Sequence, residues 1–172
     1  MSECTEGRGR CSDPNRLTPD ARRLHDAVHA EAARLGIEIR TTETVRWEQV
    51  QDAYYAQGRM PTGSVNNIRA HAGLEPITAE QNKRPVTWTM KSRHLPNKAG
   101  LSCAFDIAIR NKETGGWFDP KVDADHNGIP DWKQFADFAL SLGIRGAKAG
   151  YYFRDDLGHP RTDACHFEVS NG

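Results

Sequence analysis

The chain has 172 residues, a length that suits one domain with one proper core. Its 23 basic and 23 acidic residues cancel to a formal net charge of zero, so the sequence offers no electrostatic pull towards nucleic acid or an anionic membrane. No stretch approaches the ~18 apolar residues that a spanning helix needs, so no membrane insertion is expected.

Residues 1–16 are polar and glycine-bearing, without the apolar segment of a secretory signal, and read as a flexible N-terminal tail. A protein of this kind that works outside the cytoplasm needs another way out. Cys4, Cys11, Cys103 and Cys165 form no CxxC pair and are too sparse for a disulfide-built fold. Four thiols in a reducing compartment are the expectation.

The first predicted element opens at Thr18, which can cap a helix with Pro19 in its first turn. Leu24, Val28, Ala32 and Leu35 recur at helical spacing, and Gly36 supplies the stop. Residues 37–42 read as a short strand. A second helix is predicted over residues 47–57, ended by Gly58. Residues 59–84 form a long irregular connection in which 65–72 can be helical. Residues 86–90 alternate as a strand. Residues 103–109 are the clearest strand: Cys103, Phe105, Ile107 and Ile109 belong to a core face, while Ala104, Asp106 and Ala108 line a cleft. A helix follows over 131–142, then strands near 147–153 and 166–169. Early helices and later strands predict an α+β domain with a small, mostly antiparallel sheet.

A hydrolytic zinc site needs three protein donors and one open position. Three segments offer donors: Ser92-Arg93-His94, Asp106 on the small-residue strand face, and Asp163-Ala164-Cys165-His166-Phe167-Glu168. Taken singly, such residues are more often caps or surface groups than ligands. Strand alternation directs Cys103 and Cys165 away from Asp106 and His166, which argues against thiolate ligands. His25, His29, His71, His126 and His159 are expected to be structural or solvated.

In combination, Ser92-x-His94, Gly100, Ala104-x-Asp106 and Asp163-x-x-His166-x-Glu168 resemble the pattern of the D-alanyl-D-alanine carboxypeptidase-like zinc peptidases. That group includes vancomycin-resistance dipeptidases and the L-alanyl-D-glutamate endopeptidases of phage lysins. Thr42-Glu43-Thr44-Val45-Arg46 with Tyr55-Ala56-Gln57-Gly58-Arg59 is similar to the "TE-x-x-R … YAQGR" stretch of the endopeptidase branch. The resemblance runs over residues 17–169. The stretch between His94 and Asp106 is longer than in the family, an insertion that a loop between strands can absorb.

The resemblance implies a hedgehog/D-Ala-D-Ala peptidase-like fold, with residues 17–172 as the catalytic domain and zinc held on the sheet by His94, Asp106 and His166. It implies Asp163 as the general base and Arg46 as the group that meets an oxyanion or a substrate carboxylate. Glu168 would orient a ligand, and Ser92 would bind substrate or steady the turn. The implied protein is a monomeric endolysin acting on bacterial peptidoglycan, made in the host cytoplasm and released to the cell wall. The bond it would cleave is L-alanyl-D-glutamate. The alternatives are a D-alanyl-D-alanine carboxypeptidase or dipeptidase, and a non-catalytic wall-binding module, against which the retained Asp163 argues.

A second metal signal is Asp123-x-Asp125-x-Asn127-Gly128-x-x-Asp131, with oxygen donors at alternate positions and glycine at the sixth, as in a calcium loop. The twelfth position is Gln134 instead of a bidentate glutamate. The alternative is an Asp/Asn/Gly turn leading into a helix.

Overall fold

The structure is a computed structural model that describes residues 4–154 and 157–170. A four-stranded antiparallel sheet has the order β1-β2-β4-β3, formed by β1 (Ile39–Glu43), β2 (Ala104–Ile109), β3 (Lys148–Ala149) and β4 (His166–Glu168). Five α-helices accompany it: α1 (Pro19–Leu35), α2 (Glu48–Ala56), α3 (Thr62–His71), α4 (Ala79–Asn82) and α5 (Asp131–Ser141). The α+β expectation is met. None of the described helices is long and apolar enough to cross a membrane.

Helix α1 begins at Pro19, whose fixed φ suits the first turn, and ends where Gly36 adopts φ 70°. Its buried face is Ala21, Leu24, His25, Val28 and Ala32. That face packs with Trp132, Phe135, Ala136 and Ala139 of α5 against Phe105, Ile107, Ile109 and Phe167 of the sheet. Phe105 and Phe167 stack with ring centroids 5.3 Å apart, so the central strands are held from the core side. Period-two alternation then leaves Asp106 and His166, which face each other across β2 and β4, on the opposite side.

A second core forms where α2 meets the N-terminal segment, through Cys11, Val45, Trp47, Val50, Ala53, Tyr54 and Ala72. Residues 4–16, expected as part of a tail, are therefore packed, and Cys11 is fully buried. Cys4 and Cys11 are joined by a disulfide, which corrects the expectation of four thiols; Cys103 and Cys165 are free. Sequence spacing gave no reason to pair a short polar loop with itself. Residues 1–3 of the expected tail lie outside the described residues.

Two strand expectations change. Residues 86–90 join no sheet, because Pro85 precedes them and Gln51 takes their polar groups: its Nε2 donates to Thr89 O at 2.5 Å and to Thr87 Oγ1 at 3.3 Å. The stretch does not alternate in burial: Thr87 is inside, while Val86, Trp88, Thr89 and Met90 are exposed. The strand expected near 147–153 stops at Ala149, where a 3-10 turn over Gly150–Tyr152 takes over. The irregular connection of 59–84 contains α3 and α4, the latter opened by a capping box between Thr78 and Gln81.

On the α1 side, His25 Nε2 and His29 Nε2 lie 2.7 and 3.0 Å from Thr41 Oγ1, with ring centroids 4.3 Å apart. Burial, and then the charge of His25, lower the His29 imidazole from 6.5 to about 4, with Asp26 opposing. Burial also lowers His25. The unfolded chain thus binds protons between about pH 6.5 and 4 that the native state refuses, so stability should fall as pH drops through that window. Urea unfolding at pH 7 and pH 5 should show this loss, and His29→Gln should make it smaller; an unchanged slope would mean that His29 does not titrate as described.

Candidate metal centre

Three side chains from distant parts of the chain converge on the cleft face. His94 Nε2 lies 3.1 Å from Asp106 Oδ1 and 3.1 Å from His166 Nδ1, and His166 Nδ1 lies 3.0 Å from Asp106 Oδ1. His94 is 1% and His166 7% exposed, so water does not compete freely for these atoms. The resulting triangle is close to one face of a zinc tetrahedron, whose nitrogen and oxygen donors stand about 3.3 Å apart.

The outer partners of the two imidazoles decide what the inner atoms can do. His94 Nδ1 is 2.7 Å from Thr44 O, and a carbonyl only accepts, so the proton sits on Nδ1. Nε2 then turns a lone pair inward. His166 Nε2 is 3.2 Å from Glu168 Oε2, which places its proton outward and the Nδ1 lone pair inward. With both imidazoles neutral, two nitrogen lone pairs and a carboxylate oxygen meet with no hydrogen among them. Such a cluster is repulsive until a cation enters it, so the residues present fit a metal ion.

The electrostatics carry the same sign. Burial works against the charge of Asp106, yet His94 and His166 hold its carboxyl well below the usual carboxylate range. Burial lowers His166, but hydrogen bonds to Asp106 and Glu168 and the charge of Asp163 raise it from 6.5 to about 10. The pocket favours a positive charge, and a proton on His166 supplies one.

Arg46 borders the triangle. Its Nη2 lies 3.9 Å from Asp106 Oδ2, while Nε and Nη2 both donate to Glu43 Oε2 and Nη1 donates to Gln51 Oε1 at 3.1 Å. Burial opposes its charge, and Glu43 and then Asp106 outweigh that. Its guanidinium carbon stands 5.0 Å from the centre of the Tyr54 ring, and Tyr54 in turn accepts from Arg10 Nε at 2.8 Å. The N-terminal segment therefore supports this wall of the cleft. It also supports His94, because Thr44 N donates to Cys11 O at 2.7 Å and fixes the carbonyl that holds the imidazole.

Ser92 Oγ accepts from His94 N at 3.2 Å and steadies the turn before His94. Glu168, besides His166, accepts from Lys148 Nζ at 3.2 Å; burial raises its carboxyl but His166 and Lys148 bring it below its ordinary value. Asp163 is exposed and receives the Cys165 thiol at Oδ1, 3.2 Å away, while Asp163 O accepts from His166 N at 3.0 Å. Burial and the charges of Asp106 and Asp163 push the Cys165 thiol up, so it stays protonated. Gly100, at φ 76°, sits in the 95–102 loop, which is folded on Asn97: the Asn97 side chain accepts from Ala99 N and Leu101 N. One end of that loop is pinned where Ser102 bridges to Leu17, and Cys103 N donates to Arg93 O at 3.3 Å, so its two ends are held together beside His94.

Glu43, Gln51, Thr44 and Gly150 also build this site, although the sequence pattern does not single them out. Glu43 was legible in the quoted Thr42-Glu43-Thr44-Val45-Arg46 stretch, three residues before the arginine. Gln51, whose partners are Arg46 and residues 87–89, carries no local signal. Asp123, Asp125 and Asp131 also gather, but on the loop before α5 and not at this cleft.

No protein-family profile matches the chain. It is 27% identical over 142 residues to the Bacillus subtilis protein named peptidoglycan L-alanyl-D-glutamate endopeptidase CwlK, covering 83% of this chain and 71% of that one. Its fold is similar to the crystal structure of the Serratia marcescens L-Ala D-Glu endopeptidase ChiX, with a TM-score of 0.53 and 14% identity over 98% of this chain and 94% of that one.

The backbone around Asp163 depends on one glycine. A Cβ at Gly150 would stand 2.1 Å from Asp163 O and 3.1 Å from His166 Cβ, where no real atom fits. Gly150→Ala should therefore destabilise the fold by about 1–3 kcal/mol in denaturant unfolding and weaken metal uptake by displacing His166. Wild-type stability in this variant would show that the 163–166 turn is not seated as described.

Proposed function

We propose that this chain, a member of the L-alanyl-D-glutamate endopeptidase family by sequence similarity and fold, hydrolyses a stem-peptide bond of bacterial peptidoglycan with zinc held by His94, Asp106 and His166. The observation that carries the reading is the inward convergence of two imidazole lone pairs and one carboxylate oxygen in a buried pocket beside a fixed arginine. Bound there, zinc supplies Lewis acidity, polarising a carbonyl and acidifying water.

The chain's own groups divide the remaining work. Asp163, exposed and within electrostatic reach of His166, takes the proton of the attacking water and delivers it to the leaving amine. The Cys165 thiol holds one of its oxygens, which restricts the carboxylate's rotation. Arg46 has five N–H bonds, of which Glu43 and Gln51 engage three, so two remain for a developing oxyanion or a substrate carboxylate. Because Glu43 and Gln51 pre-set the guanidinium plane, little side-chain entropy is lost when substrate arrives. Glu168 keeps the His166 lone pair directed inward.

The L-alanyl-D-glutamate bond is the target that the similarity to CwlK favours, and the Tyr55-to-Arg59 stretch favours a phage-type lytic enzyme acting on the wall. A D-alanyl-D-alanine carboxypeptidase would use the same donors. A non-catalytic wall-binding module would have no use for an exposed carboxylate held beside a metal pocket.

Two measurements test these assignments. Asp163→Asn should lower kcat by about 10²–10⁴-fold while one zinc per chain is retained in metal analysis. Unchanged lysis would remove Asp163 from the mechanism. Mass spectrometry of digested peptidoglycan should reveal new amino-terminal D-glutamate, whereas release of terminal D-alanine alone would assign the carboxypeptidase reaction instead.

A further inference from the structure

The loop before α5 carries a feature that the cleft chemistry does not use. Asp131, the first residue of α5, is fully buried, and its Oδ1 has no hydrogen-bond partner; Oδ2 accepts from Ala124 N at 3.0 Å. An orphaned carboxylate oxygen in the interior is costly unless something positive meets it. One carboxylate oxygen from each of Asp123, Asp125 and Asp131 lies within 4.8 Å of the others, a span about twice a calcium–oxygen bond. Burial raises the Asp131 carboxyl; the Ala124 N–H opposes this, and the charges of Asp125 and Asp123 add to the rise.

From the buried Asp131 carboxylate, one oxygen of which is unpartnered, and the carboxylates of Asp123 and Asp125 gathered beside it, we infer that residues 123–131 form a calcium site, separate from the proposed zinc pocket. The donors are oxygens only, drawn from alternate residues of one loop: carboxylates of Asp123, Asp125 and Asp131, and the Asn127 amide oxygen. That set suits a hard cation that tolerates irregular coordination, which favours calcium over magnesium. Gly128 makes the turn at φ 83°, a conformation that other residues adopt with strain. Gln134 reaches the same cluster, its Nε2 3.1 Å from Asp125 Oδ2, and contributes a neutral amide where a stronger site would have a glutamate. The affinity therefore falls in the weak class, with Kd of about 10⁻⁴–10⁻³ M. Occupancy would neutralise a charge buried at the start of α5, next to Trp132 and Phe135 in the main core, so its effect is on stability and not on bond cleavage.

The test uses the full chain loaded with zinc. Isothermal titration with CaCl₂ should give one site per chain, and Tm should rise by roughly 3–5 °C at tenfold excess over Kd. MgCl₂ at the same concentration should give a much smaller shift. Asp131→Asn should abolish both responses. Asp125→Asn, at a less buried position, should fold normally and weaken calcium binding about tenfold, which keeps the test decisive if Asp131→Asn does not fold. No heat and no Tm shift at about 10 mM CaCl₂ would overturn the assignment. An equal response to magnesium, or full calcium binding by Asp125→Asn, would overturn it as well.

Discussion

Two hydrogen bonds on the outside of the candidate metal pocket determine what its inside can do. Thr44 O accepts from His94 Nδ1, and Glu168 Oε2 accepts from His166 Nε2. Each imidazole is thereby forced to present its lone pair to Asp106. Three acceptors held within hydrogen-bond distance form an arrangement that a proton on His166 or a metal ion relieves. Close packing of the sheet on Phe105 and Phe167 prevents these groups from swinging apart, so the pocket is set before any metal arrives.

That constraint explains why parts of the chain remote from the cleft matter to it. The segment closed by the Cys4–Cys11 disulfide contributes Cys11 O, which fixes Thr44, and Arg10, which fixes Tyr54 under Arg46. Residues 86–90, instead of extending the sheet, give their polar groups to Gln51, and Gln51 in turn orients Arg46. Both segments act as buttresses. They trade backbone ladder bonds for contacts that hold one carbonyl and one guanidinium in place.

The sheet itself carries an irregularity with a functional consequence. Ile39, Arg40 and Thr41 pair in register with Ile109, Ala108 and Ile107, but the next pair is Glu43 with Asp106, because one extra residue is inserted in β1. This bulge brings Glu43 to the cleft face opposite Asp106, where it can pair with Arg46. Two carboxylates and a guanidinium then share one edge of the pocket, and the arginine is kept charged and positioned between them.

Much of the molecule was legible locally. Helix α1 follows from apolar spacing, Pro19 and Gly36; β2 follows from the alternation of Phe105, Asp106, Ile107, Ala108 and Ile109. His94, Asp106 and His166 were identifiable as a set by resemblance, and the structure brings them together. Periodicity is a short-range property, so it reports which residue types lie on a face and nothing about what meets that face. Residues 86–90 alternate like a strand, yet whether a ladder or a glutamine side chain takes their polar groups depends on α2, which lies some distance away in sequence. The bulge in β1 is likewise a product of pairing between distant segments, and the Cys4–Cys11 disulfide and the orphaned oxygen of Asp131 depend on the three-dimensional path of their loops, which periodicity does not report. Local sequence determined the elements and the donor types; only the tertiary structure decided the tautomers, the guanidinium plane and the unmet charge, because each depends on partners that come together when the chain folds.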